Sequence, residues 1–257
     1  MRSVSGSGER LLAILGLFSE ERPEWSPEEM MHALGFSRPT LYRYLKTLKD
    51  AGYIVSLPQA GYTLGPRVTE LDFLMRRSDP LIAASDQHLK DLARDFIGSA
   101  FVLRFYGQKM LCVASEVSAP EPRSSYPRGR PMPIGKGAVS RAIVAFLPPK
   151  DRSALVTDYL DAFVTSGIGS TKEAVLAELK RIRRDRVATA RGEVTPGLVG
   201  VAAPILAGDG TPIGALCLST EEACLTEDQL DDLRDTIRDR AEVISALLAQ
   251  PQRQAIA

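Results

Sequence analysis

The chain has 257 residues, 44% of them apolar, with Lys+Arg and Asp+Glu both at 32 and a formal net charge of zero. That length holds one large or two ordinary domains with a real core, and a neutral total favours neither nucleic acid nor an anionic surface, so only local charge is informative. No apolar run approaches the roughly 18–20 residues that cross a bilayer, MRSVSGSGER lacks the apolar core of a signal peptide, and Cys112, Cys217 and Cys224 are unclustered; a reduced, cytoplasmic protein without disulfides or membrane contact is expected.

Residues 1–8 are Ser/Gly-rich and read as a frayed start. From Glu9 the pattern turns helical, with Leu11, Leu12, Leu15 and Phe18 at spacings of three and four. Ser26, Pro27 and Glu29 form a capping box that opens a short helix with Met30, Met31 and Leu34, closed by Gly35. Ser37 caps the next helix, which stops at Gly52. At 100° per residue, Leu41, Tyr44, Leu45, Leu48 and Ala51 share one side, and Pro39, Tyr42, Arg43, Lys46 and Thr47 the other. YIVSLPQAGYTLG then reads as strand, tight turn, strand. Helices followed by a two-stranded ribbon is the order of a winged helix-turn-helix.

The polar side of the third helix reads either as an ordinary solvated face or as a DNA-contacting one. The preceding helix is short, and the turn between them contains Gly35. Thr40, Tyr42 and Arg43 crowd the N-terminal half, the part such helices push into the major groove. Residues 38–49 hold Arg38, Arg43, Lys46 and Lys49 without an acid, while residues 20–29 hold five glutamates. The neutral total hides a positive stripe, and DNA contact is the expectation.

Pro66 begins an amphipathic stretch to about Arg77, read as a connector and a surface for a partner subunit, and a helix follows from Pro80 to Phe96. SAFVLRFYGQKMLCVASEV is two β-rich runs around Gly107-Gln108, a hairpin. RSSYPRGRPMP is a Pro/Arg loop or strand, and KGAVSRAIVAFLPP a short helix stopped by prolines. Helices are expected at about 149–162 and 171–186, the second boxed by Ser170 and Glu173. LVGVAAPILAGDGTPIGALCLS is a second hairpin, and Thr226 and Gln229 box a last helix carrying Leu230, Leu233, Ile237, Ala241, Ile244 and Leu248. This order predicts an α+β domain with an antiparallel sheet between helical layers.

Four segments carry a resemblance in the right order: GFSRPTLYRYLKTLKDAGYI, GYTLGPRVTEL, RPMPIGKGAVSRAIVAFLP, and GEVTPGLVGVAAPI with its GDG turn. Over roughly residues 7–250 the chain resembles the isocitrate-lyase-regulator (IclR-type) family of bacterial transcription regulators. The resemblance implies a winged helix-turn-helix at 7–65, a connector helix at 66–78 and a GAF-like α/β effector-binding domain with antiparallel sheet at 79–250. It also implies assembly into a homodimer or homotetramer. Arg38, Pro39, Thr40, Tyr42, Arg43 and Lys46 match recognition-helix positions. Thr40 and Lys46 suit phosphate, Arg43 bidentate reading of guanine, and Tyr42 a thymine methyl or a phosphate. The wing tip Pro58-Gln59-Ala60 has no Arg or Lys, which argues against a strong minor-groove grip.

The family's effector pocket, carried over by position, involves Ile134, Gly135, Val139, Ser140, Ala190, Gly200, Cys217 and Ser219. The chain departs from the family pattern at Gly135-Lys136-Gly137, where His-Ala-Thr is frequent, and at Ser140-Arg141, where Gly-Lys is. Ala190 replaces an acid and Gly200 a common Cys. Free amides at a helix start, with Lys136 or Arg141 near, suit an anion, so a small organic acid, aromatic acids included, is the expected effector. The plainer alternative is a tight turn with both cations solvated.

His32 and His88 match no metal spacing, and CxxC, HExxH, GxGxxG, GxxxxGK[ST] and GxSxG are missing, so no cofactor or metal is expected. Cys217 reads as core, His32 as structural or exposed, Trp25 as packing the first loop, and KRIRRDR at 180–186 as a solvated face. The leading function is an effector-modulated regulator that binds a double-stranded DNA operator. Its alternatives are an enzyme on the GAF-like domain with a passenger winged helix, for which no acidic pair or His–Cys pair is found, and a protein-interaction module.

Overall fold

The computed structural model describes residues 6–58, 61–118 and 126–250. Contacts divide the chain into two units, one ending at Asp79 and one starting at Pro80. The first contains α1 (Ser7–Leu15), α2 (Pro27–Leu34), α3 (Arg38–Asp50), β1 (Ile54–Ser56), β2 (Tyr62–Leu64) and α4 (Pro66–Ser78). The capping box of α2 forms: Ser26 Oγ accepts the Glu29 N–H, and the Glu29 carboxylate accepts the Ser26 N–H at 2.9 Å. Gly35, left-handed at φ 67°, ends α2. Ser37 stands at the N-cap of α3, but its hydroxyl donates to Thr40 Oγ1 and does not accept a backbone amide.

The apolar stripes of α1, α2 and α3 meet in one core of Ile14, Met30, Leu41, Tyr44, Leu45, Leu48 and Ile54. Ala51, expected on that stripe, is exposed. The helix stops at Asp50 and Gly52 at φ 75° has already turned the chain toward β1, so Ala51 lies beyond the last inward-facing turn. β1 and β2 pair antiparallel, and Trp25 extends the ribbon by bridging Tyr62. Trp25 also donates its indole N–H to the Leu17 carbonyl, which ties down the first loop. Gln59 and Ala60 of the wing tip lie outside the described residues.

The second unit contains α5 (Pro80–Asp95), β3 (Ser99–Phe105), β4 (Met110–Val117), β5 (Pro131–Met132), α6 (Gly137–Phe146), α7 (Pro149–Asp158), α8 (Leu160–Thr165), α9 (Lys172–Asp185), β6 (Ala188–Arg191), β7 (Leu198–Leu206), β8 (Pro212–Glu221) and α10 (Glu227–Ala249). Its strands form one antiparallel sheet in the order β5-β4-β3-β8-β7-β6. Alternate residues feed two cores. Ala100, Val102, Val199, Val201, Leu216 and Leu218 join α5 and α10 on one face. Phe101, Leu103, Ala202, Ala215 and Cys217 join α6 and α9 on the other. A sheet covered on both faces needs apolar residues at every position, which is why β7 and β8 read as near-continuous apolar runs.

Every residue of α6 is buried, because the helix has the sheet on one side and α7 and α9 on the other. At Gly214 an added Cβ would collide with the Leu103 carbonyl, so glycine is what lets β8 lie against β3 there. Three expectations change. The helix expected at 149–162 breaks at Tyr159 into α7 and α8. The cap of α9 is Thr171, whose hydroxyl accepts the Ala174 N–H at 3.2 Å, so the Ser170–Glu173 box does not form. Residues 188–191, given no element from sequence, form the edge strand β6.

Candidate functional site

Each unit presents one surface with chemistry. In the first it is the outer side of α3. Burial of Leu41, Tyr44, Leu45 and Leu48 turns Arg38, Pro39, Tyr42, Arg43 and Lys46 outward, with Thr40 half-buried at the first turn. The Arg38 guanidinium lies over the Tyr42 ring, 5.5 Å from its centre. Arg43 leans over Tyr44 at 5.1 Å and donates to its hydroxyl at 3.4 Å. Because Tyr44 is 3% exposed, its ring is a fixed platform that limits where Arg43 can point. Among the described residues, Arg38, Arg43, Lys46 and Lys49 have no carboxylate partner, whereas Arg22 is paired with Glu29. The α3 face therefore carries uncompensated positive charge on a rigid helix.

In the second unit, a cavity opens between the sheet and the start of α6. Its floor follows from strand register. Ala190, Gly200 and Ser219 lie side by side across β6, β7 and β8, and Cys217 lies opposite Phe101 in the row that follows. Small side chains in adjacent rows leave a hollow in an otherwise filled layer. Val139 and the backbone of Gly137 and Ala138 form one wall, and Phe101, Tyr126, Met132 and Leu198 supply aromatic and aliphatic surface. The rim is Glu193, Val194 and Thr195, from the segment joining β6 to β7.

Of the positions expected at an effector pocket, the structure brings Val139, Ala190, Gly200, Cys217 and Ser219 to this cavity. Ile134, Gly135 and Ser140 do not line it. Ser140, fully buried, accepts the Gly135 N–H at 2.8 Å, and Gly135 at φ 87° packs against Ala162, so these residues shape the turn into α6. Cys217 is 2% exposed, and burial pushes its thiol pKa up.

At the start of α6 the Gly137 amide and Arg141 are not free, which corrects that part of the expectation. Glu193 Oε2 accepts the Gly137 N–H at 2.9 Å, and Oε1 accepts from the Arg141 guanidinium at 2.5 Å. Arg141 is 9% exposed and also donates to the carbonyls of Thr189 at 3.0 Å and Ser166 at 3.1 Å. Its pKa is pushed down by burial, with the Glu193 charge pulling the other way. Arg141 is thus neither solvated nor vacant. Lys136, at the N-cap of α6, is half-buried and has no ion pair among the described residues. Glu193 and its neighbours were missed at the sequence level. The available signal was GEVTPG, an acid between two glycines, but which helix end that acid reaches depends on the fold.

Residues 7–58 match the IclR helix-turn-helix domain, and residues 75–246 match the bacterial transcriptional regulator IclR C-terminal domain. The HTH-type transcriptional regulator XynR of Escherichia coli is 27% identical over 247 residues, covering 95% of this chain and 98% of that protein. A Silicibacter chain solved as a candidate ICLR transcriptional regulator superposes with a TM-score of 0.81 at 22% identity, covering 96% of this chain and 97% of its own. An IclR homologue of Microbacterium hydrocarbonoxydans, solved in complex with 4-hydroxybenzoate, gives a TM-score of 0.77 at 16% identity, covering 95% and 99%.

Proposed function

The chain belongs to the IclR family of bacterial transcriptional regulators, and from that premise we propose that it is a sequence-specific operator-binding regulator whose DNA affinity is set by a small organic acid held in the second unit. The observation that carries the DNA reading is the α3 face. It has four cations between residues 38 and 49 with no carboxylate partner among the described residues. Arg43 reads guanine, Thr40 and Lys46 hold phosphates, and Tyr42 meets a thymine methyl or a phosphate. Phe73, Leu74 and Met75 on α4 are 57%, 54% and 50% exposed, apolar side chains that a second copy of the chain would cover. A homodimer or homotetramer built on it presents paired α3 helices to a pseudo-palindrome.

Three points support an acid effector. The cavity is mostly apolar and aromatic, Gly137 and Glu193 on its lining belong to a cradle with Arg141 that already holds a carboxylate, and a fold relative holds 4-hydroxybenzoate. The enzyme alternative has little to work with, since the cavity thiol Cys217 is kept protonated by burial. The test is selection of genomic fragments by the purified protein, with Arg43→Ala as control. A few fragments should survive competition, the variant should lose about tenfold or more in affinity for them, and binding should weaken steeply with salt. Identical selection by the variant would rule out α3 as the reader.

A further inference from the structure

The carboxylate in the anion cradle belongs to the chain itself. Glu193 bridges the first amide of α6 and the buried Arg141 guanidinium, at the rim of the cavity where a ligand would enter. We propose that Glu193 is a resident competitor: an acid effector places its own carboxylate on Gly137 N–H and Arg141, Glu193 is expelled, and the segment between β6 and β7 swings outward. This rests on the acid-effector reading above and adds the device that reports occupancy.

The exchange is balanced in charge. One carboxylate replaces another, so Arg141 keeps its neutralising partner and is never left buried alone, which would be costly. Glu193 regains water on release. The drive is apolar surface of the ligand entering the hollow beside Phe101, Val139 and Leu198. The segment is built to move. Gly192 at φ 67° and Gly197 at φ 79° bracket it, and Val194 between them is 41% exposed. Gly192 N–H bonds to the Leu198 carbonyl at 2.7 Å and Glu222 N–H to the Gly197 carbonyl at 3.0 Å, so the ends are anchored, while among the described residues the middle is hydrogen-bonded only through the Glu193 carboxylate and one bond from Leu198 N–H to the Thr195 carbonyl, with Val194 packed against Gly137. Apo protein holds the cradle closed, so the apparent affinity for an acid is lowered by the fraction of molecules in which it is open.

The test compares the full chain with its Glu193→Ala and Glu193→Gln variants, using acetate, acetamide, benzoate and benzamide as probes. Glu193→Ala should melt below wild type, and millimolar acetate should restore its melting temperature where acetamide and an equal ionic strength of chloride do not. Benzoate should bind both variants roughly tenfold tighter than wild type, while benzamide, which has no carboxylate, should gain nothing. In wild type, benzoate should increase hydrogen exchange at residues 192–197. Acetate acting no better than chloride, or benzoate binding measurably but with equal affinity to all three proteins, overturns the proposal. Unchanged exchange at 192–197 on benzoate binding does so too. Acetate rescue without benzoate binding in any form supports the exchangeable cradle and counts against the aromatic-acid reading, so the two failures are separable. If Glu193→Ala does not fold, Glu193→Gln, which keeps the shape and an acceptor for Gly137 N–H, decides by its benzoate affinity.

Discussion

Arg43 and Arg141 are both arginines on amphipathic or apolar helices, and their fates differ because of what surrounds them. Arg43 sits on a helix with one solvent face and leans on the ring of Tyr44, so it stays outside and charged. Arg141 sits on a helix covered all round, where its two terminal guanidinium nitrogens are engaged by Glu193 and two carbonyls while its Nε–H is left without a partner among the described residues. The same logic sorts the cysteines. Burial pushes Cys112 up to about 12 and raises Cys217 as well, while Cys224 is exposed. Thiolate is the reactive form, so a chromogenic thiol reagent should titrate one fast thiol in native protein and three in denaturant. Cys224→Ser should abolish the native signal. Fast reaction of a second thiol would contradict the burial of the sheet cysteines.

At the scale of elements, helices with punctuation were readable: the boxes of α2 and α10 form at the residues that signal them. The cap of α9 shifted by one because Ser170 and Thr171 are both acceptable caps, and only the path of the preceding turn selects between them. The break at Tyr159 and the edge strand β6 had no local signal, since four residues of ATAR become a strand only by pairing with β7. α5 carries a pH-dependent term. Burial pushes the His88 pKa down, with Arg240 of α10 adding to the effect and Asp91 opposing it. A histidine that resists protonation when folded binds more protons unfolded, so its contribution is intact above about pH 6.5 and is lost as pH falls below that. Melting temperature should therefore drop between neutral pH and mild acid, and His88→Gln should flatten that part of the curve. Identical curves would remove His88 from the account.

For the whole molecule, a regulator with two sites must couple them in both directions. If an acid effector changes operator affinity by some factor, operator DNA changes effector affinity by the same factor. Titrating benzoate into protein with and without saturating operator duplex checks this, and a benzoate affinity blind to DNA, in a protein whose DNA affinity responds to benzoate, would mean that more than these two equilibria is involved. The two units differ in how much of this was readable. Nearly all of the α3 face follows from residues 36–52, because a helix fixes which side chains share a side. The cavity draws on β3, β6, β7, β8, α6 and the 192–197 segment, whose lining residues run from Phe101 to Ser219 in sequence.

The sequence by itself determined the order of most elements, the apolar runs that build a sheet covered on both faces, the segregation of positive charge onto one helix, and the family. Periodicity, caps and charge are local properties, so no tertiary information is needed to see them. Only the tertiary structure decided that Ala190, Gly200 and Ser219 form a hollow, that Ile134, Gly135 and Ser140 stand behind it, and that the anion cradle is filled by Glu193. Register between strands and the approach of a loop to a helix end are set by packing of the whole domain, and a buried charge finds its partner only there.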